Sequence, residues 1–146
     1  MKKTIASLLC LAAFSLASAP VAAQQTGRVL VEFQAPGGHS NGAYGRTSAV
    51  HAAGRAIVQM KTAGLPAGAY QLRGLNGGNS VNSLASDARY EVLLTAADAT
   101  ALQSMVAQVT AAAKAGADAE NAFRGVKEGD LAGGAPAAIR YKVTAQ

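Results

Sequence analysis

The chain has 146 residues, half of them hydrophobic, with a formal charge of +5, a single cysteine and no tryptophan. That length suits one domain of ordinary size with a core of its own. Its basic residues are scattered singly and aromatics make up only 5% of the chain, which excludes the clustered basic footprint of a nucleic-acid binder, so no nucleic-acid partner is expected.

Met1-Lys2-Lys3-Thr4 places positive charge ahead of an uncharged apolar run from Ile5 to Ala17, followed by small residues and Val21-Ala22-Ala23. This is the pattern of a secretory signal peptide over residues 1–23, with cleavage expected after Ala23 and a single domain over residues 24–146. The run is too short for a bilayer core, which takes roughly 20 apolar residues, so no membrane association is expected after cleavage. Cys10 lies inside the signal and leaves with it. The expected product is exported, periplasmic or extracellular, and rests on packing alone without disulfides.

Arg28 to Ala35 alternates Val29, Val31 and Phe33 with polar or partly polar neighbours, which predicts a first strand that Pro36-Gly37-Gly38 ends. From Thr47 to about Ala63, Val50, Ala53, Ile57, Val58 and Met60 recur at helical spacing, and Gly64-Leu65-Pro66 closes this first helix. A second strand is expected over Ala69 to Leu75, followed by the reversal Asn76-Gly77-Gly78-Asn79. The third strand, Ala88 to Thr95, alternates Tyr90, Val92 and Leu94 with Arg89, Glu91 and Leu93. Thr95-Ala96-Ala97-Asp98 fits a capping box opening a second helix with the stripe Leu102, Met105, Val106, Val109 and Ala113. The Ala- and Gly-rich stretch after Gly116 is expected to extend that helix toward Phe123, its alanine bias being ascribed to helix propensity. Gly129 to Pro136 is expected as loop, and Ala138 to Val143 as a fourth strand.

The order βαββαβ with right-handed crossovers predicts the ferredoxin-like α+β fold, a four-stranded antiparallel sheet with two helices on one face. Its second and fourth strands form the edges. Arg140 and Lys142 charge one of them, which leaves Ala69 to Leu75 as the expected pairing edge.

Two motifs add a resemblance. Phe33 to Ala52, with Gly37-Gly38-His39-Ser40 at its heart, is similar to the Gly-Gly-His-Ser loop and following helix of the lid, or dimerisation, domain in the family-twenty zinc metallopeptidases. Leu75-Asn76-Gly77-Gly78-Asn79-Ser80-Val81-Asn82-Ser83-Leu84 resembles the same lid's Gly-Gly-x-Ser-x-Asn turn. The family includes aminoacylases, acetylornithine deacetylases and glutamate carboxypeptidases, and its lid is inserted in a catalytic domain that holds two zinc ions. Nothing in this sequence resembles those zinc ligands: His39 is followed by Ser-Asn, His51 by Ala-Ala, and adjacent glutamates are missing. Metal ligands, cofactors and hydrolytic activity of this chain on its own are therefore not expected.

The resemblance makes His39 the lid histidine that reaches into a partner's active site and helps stabilise an oxyanion; the alternative is a loop residue satisfying local backbone groups. Asn82 matches an asparagine near the bound substrate, or else it bonds its own turn. Ala85 stands where the family often has proline, and Leu93-Leu94-Thr95 where it often has Asp-x-Arg, so an arginine fork for a substrate carboxylate is missing there. His51 is expected as a partly exposed helix residue without a role. Gly37, Gly38, Gly77 and Gly78 set backbone geometry rather than a phosphate cradle, since no Gly-Lys-Ser/Thr follows. Small acidic ligands at the Gly-rich loops would have only Arg46 and Arg73 close by in sequence. The resulting expectation is a non-catalytic self-association module, a homodimer through the second-strand edge and the first helix. The alternative is a lid subunit that supplies His39 to a separately encoded zinc hydrolase.

Overall fold

The computed structural model describes residues 23–146. The expected signal peptide, apart from Ala23, lies outside the described residues. In chain order the elements are β1 (Gln25–Gln34), β2 (Gly38–His39), α1 (Ser40–Ala43), α2 (Ala49–Thr62), β3 (Tyr70–Gly77), β4 (Ser83–Leu84), β5 (Asp87–Ala96), α3 (Ala99–Arg124), β6 (Leu131–Ala132), β7 (Ala135–Pro136) and β8 (Arg140–Ala145). The four long strands form one antiparallel sheet in the order β3-β5-β1-β8. With α2 and α3 packed on one face, this is the expected ferredoxin-like arrangement.

Strand alternation decides which side faces the helices. Val29, Val31 and Phe33 of β1 and Tyr90, Val92 and Leu94 of β5 are all buried, and pair in register as Val29 with Val92 and Val31 with Tyr90. Tyr141 and Val143 of β8 sit opposite Phe33 and Val31, while Arg140 and Lys142 alternate to the open face. The burial of large side chains on both central strands, each contributing about 1.5–3 kcal/mol, makes this the main source of stability.

The helices depart from the expected stripes. The buried face of α2 is Ala49, Ala52, Ala53, Ala56 and Met60, whereas Val58 is 60% exposed. The facing stripe of α3 runs beyond Ala113 through Gly116 and Ala117 to Glu120. The reason is close approach: a Cβ on Gly116 would lie 2.5 Å from the Ala56 nitrogen. Small residues on both helices are what lets them touch, so the alanine bias is a packing requirement and not only a propensity effect.

Several boundaries also move. Thr95 stays in β5, and the cap of α3 is Asp98, whose carboxylate accepts the Ala101 N–H at 2.8 Å. As expected, the helix runs on through Gly116, to Arg124, and Gly125 ends it at φ +67, donating its N–H back to the Ala122 carbonyl. The segment expected as loop holds the small β6–β7 hairpin. On β3 the register against β5 slips between Arg73 and Asn76, around Gly74 at φ +56, which is a β-bulge.

Candidate functional site

The Gly37 and Gly38 turn, at φ +65 and +127, carries the chain from β1 into the short β2. Strand β2 pairs antiparallel with β4, placing His39 opposite Ser83. The Ser40 N–H donates to the Asn82 carbonyl at 2.9 Å. The two sequence motifs, 43 residues apart at His39 and Asn82, thus form a single miniature sheet at one end of the domain.

His39 caps α1, its Nδ1 accepting the Asn41 N–H at 3.3 Å. Its Nε2 lies 3.1 Å from the Asn82 side-chain amide, and Ser80 Oγ lies 2.5 Å from the same amide group. The Asn82 atom against Nε2 is its amide nitrogen, and Ser80 Oγ donates to Asn82 Oδ1; with Nδ1 accepting, the neutral ring carries its proton on Nε2 and meets an acceptor there only with the amide turned over. The ring is exposed, as is Asn82. In that tautomer the ring presents an imidazole N–H at the surface, able to donate to an acceptor oxygen. His39 meets a local backbone group, the Asn41 N–H, and Asn82 meets Ser80 of its own turn.

The structure does not bring His51 to this site. It sits on α2, exposed, with Nδ1 3.5 Å from Arg124 Nη2 and 3.7 Å from Glu120 Oε1. The centre of that group is Glu120, fully buried, which accepts from Arg55 Nε at 2.9 Å, Arg124 Nε at 3.2 Å and the Ser48 N–H at 3.2 Å. Ser48 is the cap of α2 and makes no side-chain cap of its own, so a carboxylate from α3 satisfies the start of α2. The sequence reading missed Glu120. The available signal was an acid continuing the small-residue stripe at helical spacing, a position that demands partners.

A second surface lies along α2 and β3. Val50, Gly54, Leu75 and Phe123 line an open groove of about 600 Å³ flanked by Arg55 and Arg124. Both guanidinium groups lie over the Phe123 ring, 4.8 and 4.9 Å from its centroid, although Phe123 is 66% exposed. Leu75, in the β3 bulge, lines this groove with Val50 of α2, and Leu72 and Val58 are further exposed apolar residues of β3 and α2. The same bulge limits the regular pairing of β3 with β5 on its first half to Tyr70–Arg73.

Among the described residues no group of three His, Cys, Asp or Glu side chains could hold a metal ion, and no step through a metal is assigned to them. No described helix is long and apolar enough to cross a membrane.

No protein-family model matches the chain, and no curated protein does. Solved structures do. A hydantoinase/carbamoylase family amidase from Burkholderia ambifaria matches with TM-score 0.66 at 15% identity, over 86% of this chain and 28% of its own. An aminobenzoyl-glutamate utilization protein from Klebsiella pneumoniae matches with TM-score 0.59 at 18% identity, over 81% of this chain and 27% of its own. A tripeptidase from Staphylococcus aureus matches with TM-score 0.58 at 15% identity, over 84% and 29%. The chain therefore shares the fold of one part of peptidase and amidohydrolase structures, and spans less than a third of their length.

Proposed function

We propose that this chain is an exported lid-type domain that associates with itself and carries no hydrolytic machinery of its own. The observation that carries the proposal is the open apolar groove of Val50, Gly54, Leu75 and Phe123, in which Leu75 and Phe123 are exposed and Leu75 belongs to the edge strand β3. An exposed apolar strip beside an unpaired strand edge is what a two-fold contact covers, each copy presenting the same surface to the other. The opposite edge, β8, carries Arg140 and Lys142, which resist edge-to-edge pairing. Export rests on the Met1 to Ala23 pattern, and the relation to a peptidase lid on the two loop motifs together with the partial match to hydrolase structures. Light scattering on the domain at tens of micromolar tests the association. Leu75→Glu on the groove should weaken it, and retention of the same dimer in that variant would remove this surface from the proposal.

The pairing of His39 with Asn82 favours a second reading, in which the domain docks on a separately encoded zinc hydrolase. There the His39 Nε2–H would leave Asn82 and donate to the oxyanion developing on a substrate carbonyl. Such a donor contributes about 10²–10³ in rate at its best. The reading is tested by reconstituting the pair with His39→Ala: a rate equal to that of the unmodified pair would end it.

A further inference from the structure

Three arginines of the domain are half-buried: Arg46, Arg55 and Arg124. Glu120 satisfies two of them, Arg55 and Arg124. Arg46 is in no ion pair with the described residues, and the one hydrogen bond its side chain makes with them is a long one of 3.4 Å from Nη1 to the Gly37 carbonyl. A half-buried guanidinium with most of its N–H donors unused is an unbalanced charge, and its planar fork matches a carboxylate.

The position is built rather than incidental. The guanidinium lies between the His39 loop and the β6–β7 hairpin, where glycines make room for it. A Cβ on Gly38 would stand 3.2 Å from Nη1, and one on Gly133 would stand 3.5 Å from Nη1 and 3.8 Å from Nη2. Arg46 also lines a cleft of about 430 Å³ together with Tyr44, Val126, Asp130 and Leu131, a size that suits a small ligand. The floor is tied down by Thr47 Oγ1, which donates to the Ala137 carbonyl at 2.6 Å. Asp130 lines the same cleft, its Oδ2 held by accepting the Lys127 N–H at 2.8 Å. Tyr44 and Leu131 leave 93% and 69% of their surface exposed beside these two charges.

We propose that this cleft binds a free α-amino acid with an apolar side chain, its carboxylate on Arg46, its ammonium on Asp130 and its side chain against Tyr44 and Leu131. A cation and an anion that share one cleft without pairing with each other are complementary to a zwitterion, and the exposed ring and leucine supply an apolar wall. The site is separate from the α2–β3 flank and from the His39–Asn82 pair, so it stands whether or not the domain associates.

The test is a titration followed by backbone amide NMR with three probes of one shape: leucine, 4-methylpentanoate, which lacks the ammonium, and 3-methylbutylamine, which lacks the carboxylate. Leucine should shift the amides of Tyr44–Thr47 and Val126–Ala132, and each probe missing one charge should bind about tenfold more weakly, the loss of one charge-assisted contact. Arg46→Gln should remove leucine binding, and Asp130→Asn should level leucine with 4-methylpentanoate. The proposal is overturned if leucine at tens of millimolar leaves those amides unmoved, if the amine alone binds as well, or if a folded Arg46→Gln binds leucine as before. Because the three-probe series needs only the unmodified protein, a variant that fails to fold does not protect the proposal.

Discussion

Replacing Gly116 by alanine puts a methyl group into the contact between α3 and α2. On the present backbone its carbon would lie 2.5 Å from the Ala56 nitrogen and 2.6 Å from both Ala56 Cα and Cβ. Carbon contacts sit near 3.5–4.0 Å, so the two helices must separate by about 1 Å along much of their seam. Overpacking of this kind costs about 1–3 kcal/mol. Alanine gains about 1 kcal/mol over glycine in a helix interior, which offsets part of it. With three contacts this short, two of them to backbone atoms, the upper end of the cost applies, and the expected net loss is about 2 kcal/mol, a fall in melting temperature of about 6–10 °C for a domain of this size. Gly54→Ala is the matched control, on α2 with nothing within 4 Å of the added carbon, and should stabilise the dilute domain by up to about 1 kcal/mol. Thermal unfolding followed by far-ultraviolet circular dichroism reads both. An unchanged or raised midpoint for Gly116→Ala would refute the close-packed seam.

Glu120→Ala should be more damaging, about 3 kcal/mol, because it strands the Ser48 N–H and leaves Arg55 and Arg124 without their acceptor; chemical denaturation measures it, and a loss under about 1 kcal/mol would contradict the network's role. Burial raises the Tyr90 hydroxyl above the usual phenol range, so the folded state keeps it protonated. Its stabilising share is complete below the unfolded value near 10 and declines as pH rises beyond it. A Tyr90→Phe variant should therefore lose less stability than the unmodified domain between neutral and strongly alkaline pH, as urea titrations at the two pH values would show. For His39, ¹⁵N shifts of the neutral imidazole should report a proton on Nε2, and Asn82→Ala should move the Nε2 resonance while leaving the tautomer intact.

The strands were legible because alternation with β-branched and aromatic residues is a local property, and Val29, Val31, Phe33, Tyr90, Val92 and Leu94 all face the helices as their spacing implies. The buried face of α2 was not. A reading that weights large apolar residues selects Val58, whereas a seam this close admits only alanine, and that condition is set by a residue on another helix, Gly116. The β3 bulge was hidden for a related reason: Gly74 in a strand pattern marks a weak point without stating which way Leu75 turns. His39 and Asn82 were each singled out by motif, but a two-residue ladder has no periodic signature, so their contact appears only in three dimensions. Arg46 was noted for its place beside a glycine-rich loop, while its lack of an acidic partner depends on the β6–β7 hairpin, expected only as loop.

Sedimentation equilibrium of the domain over residues 24–146, from one to a hundred micromolar, addresses self-association most directly. The account predicts a reversible monomer–dimer equilibrium that Leu75→Glu shifts to monomer without changing the fold. A single species of monomer mass across the whole range would contradict it.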